Sequence, residues 1–120
     1  MLSDFGKFVR KLRIDRGLLS KDMAKTLNVT PSYLSAVEVG KRNVPEEWEE
    51  KIIEAYNLNE LDELELKKAI NNSQLNLKIN LNNFSNDYKD VIFSFARDFN
   101  KLNNDDKESI RKILKKIPKW

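Results

Sequence analysis

The stretch from Leu18 to Arg42, LLSKDMAKTLNVTPSYLSAVEVGKR, constrains this chain more than any other. It reads as two short helices joined by a tight turn. In the first, Ser20 to Leu27, the residues Met23, Ala24 and Leu27 share one face, the spacing of a buried helical stripe. Asn28 and Val29 interrupt it. Thr30-Pro31 opens the second, with a hydroxyl at the N-cap and a proline at the first helical position, where its missing N–H costs nothing. Leu34 and Val37 give this helix its inward face, while Thr30, Ser32, Ser35 and Ala36 are small and lie elsewhere on it. Gly40 ends it, and Lys41-Arg42 follow at once. A helix with a slim outer face and a doubly basic exit fits a groove lined with phosphates.

This pattern resembles the helix-turn-helix of the Cro/cI-type repressors, the xenobiotic-response-element family. The matching residues are Ala24, the Asn28-Val29-Thr30 turn, Ser32-Tyr33-Leu34-Ser35, Glu38 and Gly40-Lys41-Arg42, all at the family's spacing. The resemblance covers residues 3 to 73, about three-fifths of the chain. It implies that the helix beginning at Thr30 enters the major groove of double-stranded DNA while the preceding helix lies across the backbone. It also implies that Arg13 pairs with Glu38, holding the first helix to the recognition helix, and that Arg13 can reach a phosphate. Without the resemblance, Arg13 and Glu38 are simply two surface charges.

The chain departs from the family at two places. The family often places Thr or Ser as the cap of its second helix, followed by a Gln that anchors the DNA backbone. Here Leu19 and Ser20 stand there, so either the cap moves to Ser20 or the helix begins differently. Ser20 can still donate to a phosphate, and Lys21 adds charge. The recognition helix, where the family often has long polar side chains, begins with Pro31 and Ser32. Its outward position one turn later is Ala36, whose methyl can meet a thymine methyl but forms no hydrogen bond. Tyr33 either lies against sugar-phosphate or a base edge, or packs half-buried against the second helix. Specificity then rests on Thr30, Ser32, Ser35, thymine contacts and DNA shape.

At 120 residues the chain is expected to form one domain, or a small domain with an appendage. It has no cysteine and no histidine, which excludes disulfides, thiolate chemistry and nearly all transition-metal sites. No metal and no cofactor are expected. No apolar run is long enough for a membrane span, so the cytoplasm, with the bacterial nucleoid, is the expected location. The net charge of +3 is unevenly spread: residues 1–44 carry +5, residues 45–74 carry −6 and residues 75–120 carry +4. A basic head beside an acidic middle is an electrostatic footprint for a polyanion, although lysines also solvate helix faces.

In chain order, Ser3 or Asp4 caps a first helix reaching Arg16, with Phe5, Phe8, Val9 and Leu12 as its buried stripe and Gly17 as its stop. Asn43-Val44-Pro45 starts a fourth helix whose inward face is Trp48, Ile52, Ala55 and Tyr56. Glu46, Glu47, Glu49 and Glu50 crowd its dipole-positive end, a better account of them than a metal cluster. A fifth helix, Glu60 to about Asn72, packs Leu61, Leu64 and Ala69.

After Ser73 the period changes. Leu75, Leu77, Ile79 and Leu81 alternate with Asn76, Lys78 and Asn80, which predicts a one-sided strand or, failing that, an irregular linker. With no second strand in the chain, such a strand would pair with its copy across a two-fold axis. Two helices follow. The first, Asn86 to about Lys101, bears Tyr88, Val91, Ile92, Phe95, Ala96 and Phe99 on one wide stripe, and the second runs from Asp105 to Lys116 with Ile110, Ile113, Leu114 and Ile117 inward. The basic residues Arg111, Lys112, Lys115, Lys116 and Lys119 suit a solvated last turn better than DNA.

The expected fold is therefore mainly α: a five-helix Cro/cI-like helix-turn-helix domain over residues 1–73, then a C-terminal single strand and helical hairpin over residues 74–120 for dimerisation. Leu75, Leu77, Ile79, Leu81, Phe95 and Phe99 are the expected homodimer contacts. The resemblance implies a transcriptional repressor binding an inverted-repeat operator, most often in a phage, plasmid or other mobile element. A competing reading is an antitoxin-like module whose C-terminal part grips a protein partner. An enzyme is disfavoured by the lack of a nucleophile–base pair or a Gly-rich phosphate loop. The 46 residues after Gln74 are too few for the self-cleaving peptidase domain of some repressors.

Overall fold

Four helices of this chain stop in the same way. They are α1 (Asp4–Arg16), α2 (Ser20–Thr26), α3 (Pro31–Glu38) and α4 (Trp48–Ala55), and each runs into a left-handed residue: Gly17 (φ 66°), Asn28 (φ 59°), Gly40 (φ 82°) and Asn57 (φ 49°). The N–H of the left-handed residue bonds the carbonyl three residues back, and the next N–H bonds the carbonyl five back. Leu18 thus donates to Arg13, Val29 to Ala24, Lys41 to Ala36 and Leu58 to Ile53. This pair of bonds consumes carbonyls that the helix end would otherwise orphan. The residue after the stop normally plugs the core, and Leu18, Val29 and Leu58 are indeed half-buried or buried. After Gly40 the same position holds Lys41, which is exposed.

The computed structural model describes residues 1–118, and the chain divides into two units, Met1–Leu77 and Lys78–Trp120. No helix among the described residues is long and apolar enough to cross a membrane. Helix starts follow side-chain chemistry. Ser3 Oγ accepts from the Gly6 N–H at 3.1 Å, Thr30 Oγ1 from Tyr33 at 3.1 Å, and Asn59 Oδ1 from Asp62 at 2.8 Å to open α5 (Glu60–Ser73). Helix α2 is started from inside: Leu19 has no capping group, and the Asp22 carboxylate reaches back to its N–H at 2.8 Å. Ser20 is thus the first helical residue and not the cap.

Two expectations are corrected here. Pro45 does not open α4. The helix begins three residues later at Trp48, whose N–H bonds the Pro45 carbonyl across a turn, so that Glu46 and Glu47 precede the helix and Ala55 is exposed. Helix α5 buries Ala69 as expected, but not the two leucines expected beside it. Leu66, Ala69 and Ile70 are buried, whereas Leu61 and Leu64 are each 65% exposed. The phase is fixed at the far end, where Ser73 Oγ accepts from the Phe5 N–H at 2.9 Å and so docks α5 against the start of α1.

The core of the first unit gathers Phe5 and Val9 of α1, Met23 and Leu27, Leu34 and Val37 of α3, Trp48 and Ile52, and Leu66 and Ile70. Trp48 is its largest member, tilted against Phe5 at 6.0 Å between ring centroids. Each such side chain contributes about 1.5–3 kcal/mol on burial, and the sum holds five short helices that are individually marginal.

The expected strand is not there. Residues 75–80 carry no strand pairing, and Leu81–Asn83 form a 3-10 turn opened by the Asn80 side chain, which accepts from Asn82 at 2.9 Å. The alternation is real, but a strand needs a ladder to satisfy its backbone, and this chain offers none among the described residues. The start of the segment is tied down by side chains instead. The Asn43 amide accepts from the Leu75 N–H at 2.6 Å and donates to Asn76 at 2.8 Å. Gln74 both accepts from and donates to the Val44 backbone, at 2.8 and 3.1 Å, as a neighbouring strand would. These bonds carry the first unit on to Leu77.

In the second unit, α6 (Asn86–Asp98) runs into a 3-10 turn, Phe99–Lys101, and α7 (Asn104–Lys115) follows, capped by Asn103. Phe95 and Phe99 pack at 5.0 Å, and Lys107 lies over the Phe99 ring at 5.3 Å. Neither helix contains a buried residue. Tyr88, Val91, Phe95, Ile113, Leu114 and Ile117 are all exposed, and Lys119 lies outside the described residues.

Candidate nucleic-acid interface

Everything that presents α3 to solvent meets at Glu38. Its carboxylate accepts two parallel bonds from Arg13, Nη1 to Oε2 at 2.8 Å and Nη2 to Oε1 at 3.1 Å. The two side chains are only 6% and 8% exposed. Met23 Sδ lies 3.4 Å from the same Nη1. The Glu38 carbonyl accepts from both the N–H and the hydroxyl of Ser3, each at 2.9 Å. Gly6 sits directly against that carbonyl, where any β-carbon would overlap it. Helix α1 therefore holds the C-terminal end of α3 by charge, cap and close approach together. Arg13 and Glu38 are paired and buried.

The other face of α3 is open. Thr30, Pro31, Ser32 and Ser35 are exposed and Ala36 is half-buried, and beside them Ser20 and Lys21 of α2 and both Lys41 and Arg42 are exposed. Met23, Ala24, Leu34 and Val37 fix the angle of this pair of helices from below.

Tyr33 is half-buried and packs against the core. Its ring meets Trp48 of α4 edge-on, 6.0 Å between centroids at 65°. The Arg42 guanidinium lies over the same ring at 5.2 Å. A ring that meets a buried tryptophan thus also carries a cation. Among the described residues neither Lys41 nor Arg42 forms an ion pair, so both charges face solvent uncompensated.

Sequence reasoning passed over Gly6, Asn43 and Gln74. A glycine inside a helix is a cue for close approach, but the two amides carry no signature until the 74–76 segment is brought beside them. Of the expected dimer contacts, Leu75, Leu77, Ile79 and Phe95 are exposed, and Leu81 and Phe99 are half-buried. Among the described residues no group of three acidic side chains is arranged to hold a metal ion, the glutamates at and before the start of α4 included.

No curated protein and no solved structure matches the chain. The family model described as a helix-turn-helix domain matches residues 4–66, from the first residue of α1 into the middle of α5. That span is more than half of the 120 residues and contains α3 whole, with Arg13 and Glu38, and on it the chain belongs to the helix-turn-helix domain family.

Proposed function

We propose that the chain is a sequence-specific DNA-binding transcriptional regulator of the Cro/cI type, acting as a repressor on an inverted-repeat operator and having no enzymatic activity. The observation that carries this reading is Lys41. Three of four equivalent helix stops are followed by an aliphatic residue turned into the core, and the one that ends α3 is followed by two exposed cations. Nothing in folding calls for that exchange, whereas a phosphate backbone beside α3 does. In this reading Thr30, Ser32, Ser35 and Ala36 face base edges, and Ser20, Lys21, Lys41 and Arg42 hold the backbone.

A homodimer places two copies of α3 in half-sites about 34–36 Å apart. Apolar side chains exposed in the single chain supply the contacts between the copies: Leu75 and Leu77 in the first unit, and Ile79, Val91 and Phe95 in the second. Those exposed faces also support a second reading, an antitoxin-like module that covers them with a different protein and represses its own promoter. The full chain, mixed with duplex fragments from upstream of its own gene, should shift one fragment and protect two half-sites from cleavage. Equal affinity for every fragment would contradict sequence-specific recognition.

A further inference from the structure

We propose that Arg10 is a phosphate anchor on α1, gripping the DNA backbone from a cleft between α1 and the α2–α3 corner; this rests on the duplex-DNA reading above. The cleft has a volume of about 540 Å³, and its walls include Arg10, Arg13, Ser20, Pro31, Ser35 and Glu38. Gly6, Arg10 and Arg13 stand at i, i+4 and i+7 and therefore share one edge of α1. Gly6 is pressed to the Glu38 carbonyl and Arg13 is locked to the Glu38 carboxylate, so this edge is the one that faces α3. Arg10 occupies the turn between them.

The charges lining the cleft favour an anion. Two guanidinium groups face one carboxylate, and both oxygens of that carboxylate are already taken by Arg13. Arg10 is exposed and has no ion-pair partner among the described residues. The side chains lining the cleft, which also include those of Met1, Leu2 and Val39, carry a surplus of one positive charge, which matches a phosphodiester. A guanidinium fork suits two of its oxygens, and the exposed serines of the opposite wall, Ser20 and Ser35, can supply hydroxyl donors. Ser35 belongs both to this wall and to the open side of α3, so a backbone phosphate can enter the cleft while α3 lies in the groove. Lys7 and Lys11, the other exposed cations of this stretch of α1, do not line the cleft.

The test uses the full chain and a labelled duplex from its own upstream region, titrated across a range of potassium chloride. Arg10→Gln is expected to weaken all duplexes alike and to flatten the log–log salt slope by about 0.9, the loss of one neutralised phosphate. Arg10→Lys should keep the slope, and Lys11→Ala should leave it unchanged. Thermal melts of all three should match the parent, because Arg10 and Lys11 are exposed. A parent slope retained in Arg10→Gln, alongside steep salt dependence in the parent, overturns the anchor and leaves the DNA reading standing. A parent that shows no salt-dependent duplex binding overturns both.

Discussion

Gly6 of α1 touches the main-chain carbonyl of Glu38 in α3, with no room between them for a β-carbon. The obstacle is backbone, and backbone that already accepts two bonds from Ser3, so it cannot turn aside as a flexible side chain would. Gly6→Ala should therefore destabilise the fold by about 1–3 kcal/mol, although alanine is the better helix former. Urea unfolding of the two chains checks this, and a more stable Ala variant would refute the close approach.

The Arg13–Glu38 pair makes a different kind of prediction. Removing one partner strands the other charge away from water. Glu38→Gln or Arg13→Met should each cost about 3–5 kcal/mol, while exchanging both for apolar residues should recover much of the loss. A double-mutant cycle by chemical denaturation reads the coupling. Singles that cost no more than a surface pair would show that the pair is not buried in solution.

Tyr33 should act on DNA through Arg42. Tyr33→Phe keeps a ring in contact with Trp48 and under the guanidinium and should bind duplex as the parent does. Tyr33→Leu should lose about 2- to 5-fold in affinity, the worth of an exposed cation–π contact. Arg42→Ala added to Tyr33→Leu should then cost less than it does alone. Additive losses in the binding assay would mean that tyrosine and arginine work independently.

The exposed apolar side chains of the C-terminal part make assembly testable without disturbing the single chain. Leu77 is 83% exposed and Leu75 62% exposed, so aspartate at both positions removes little from the fold of one copy. Sedimentation at micromolar concentration should show the parent as a dimer and Leu75→Asp with Leu77→Asp as a folded monomer. A doubly substituted chain that remains dimeric would move the interface to other residues.

The first three helices were legible because their boundaries are local chemistry: Ser3 and Thr30 as caps, Pro31 at the first turn, Gly17 and Gly40 as left-handed stops. The Arg13–Glu38 pair came from the family resemblance, since spacing alone cannot distinguish it from two surface charges. The sequence alone starts α4 too early because a proline suits the turn before a helix as well as its first residue. Helix α5 offers Leu61, Leu64 and Leu66 on adjoining faces, and only the distant bond from the Phe5 N–H to Ser73 decides which turns inward. The alternation at 75–81 misled because periodicity reports which side chains could share a face, not whether a ladder partner exists. Arg10 was hidden for a related reason. Its neighbours in space come from α2 and α3, and nothing in its own stretch sets it apart from Lys7 and Lys11.

The claim on which the rest depends is that α3 and its basic exit bind the backbone of duplex DNA. The most direct measurement is the affinity of the full chain for one upstream duplex as a function of salt, compared with Lys41→Ala plus Arg42→Ala. Both residues are exposed and unpaired among the described residues, so the substituted chain should fold like the parent. The parent should bind with a steep negative log–log slope, and the double substitution should flatten it by about 0.9 for each phosphate it no longer neutralises. A slope identical in the two proteins would contradict the account.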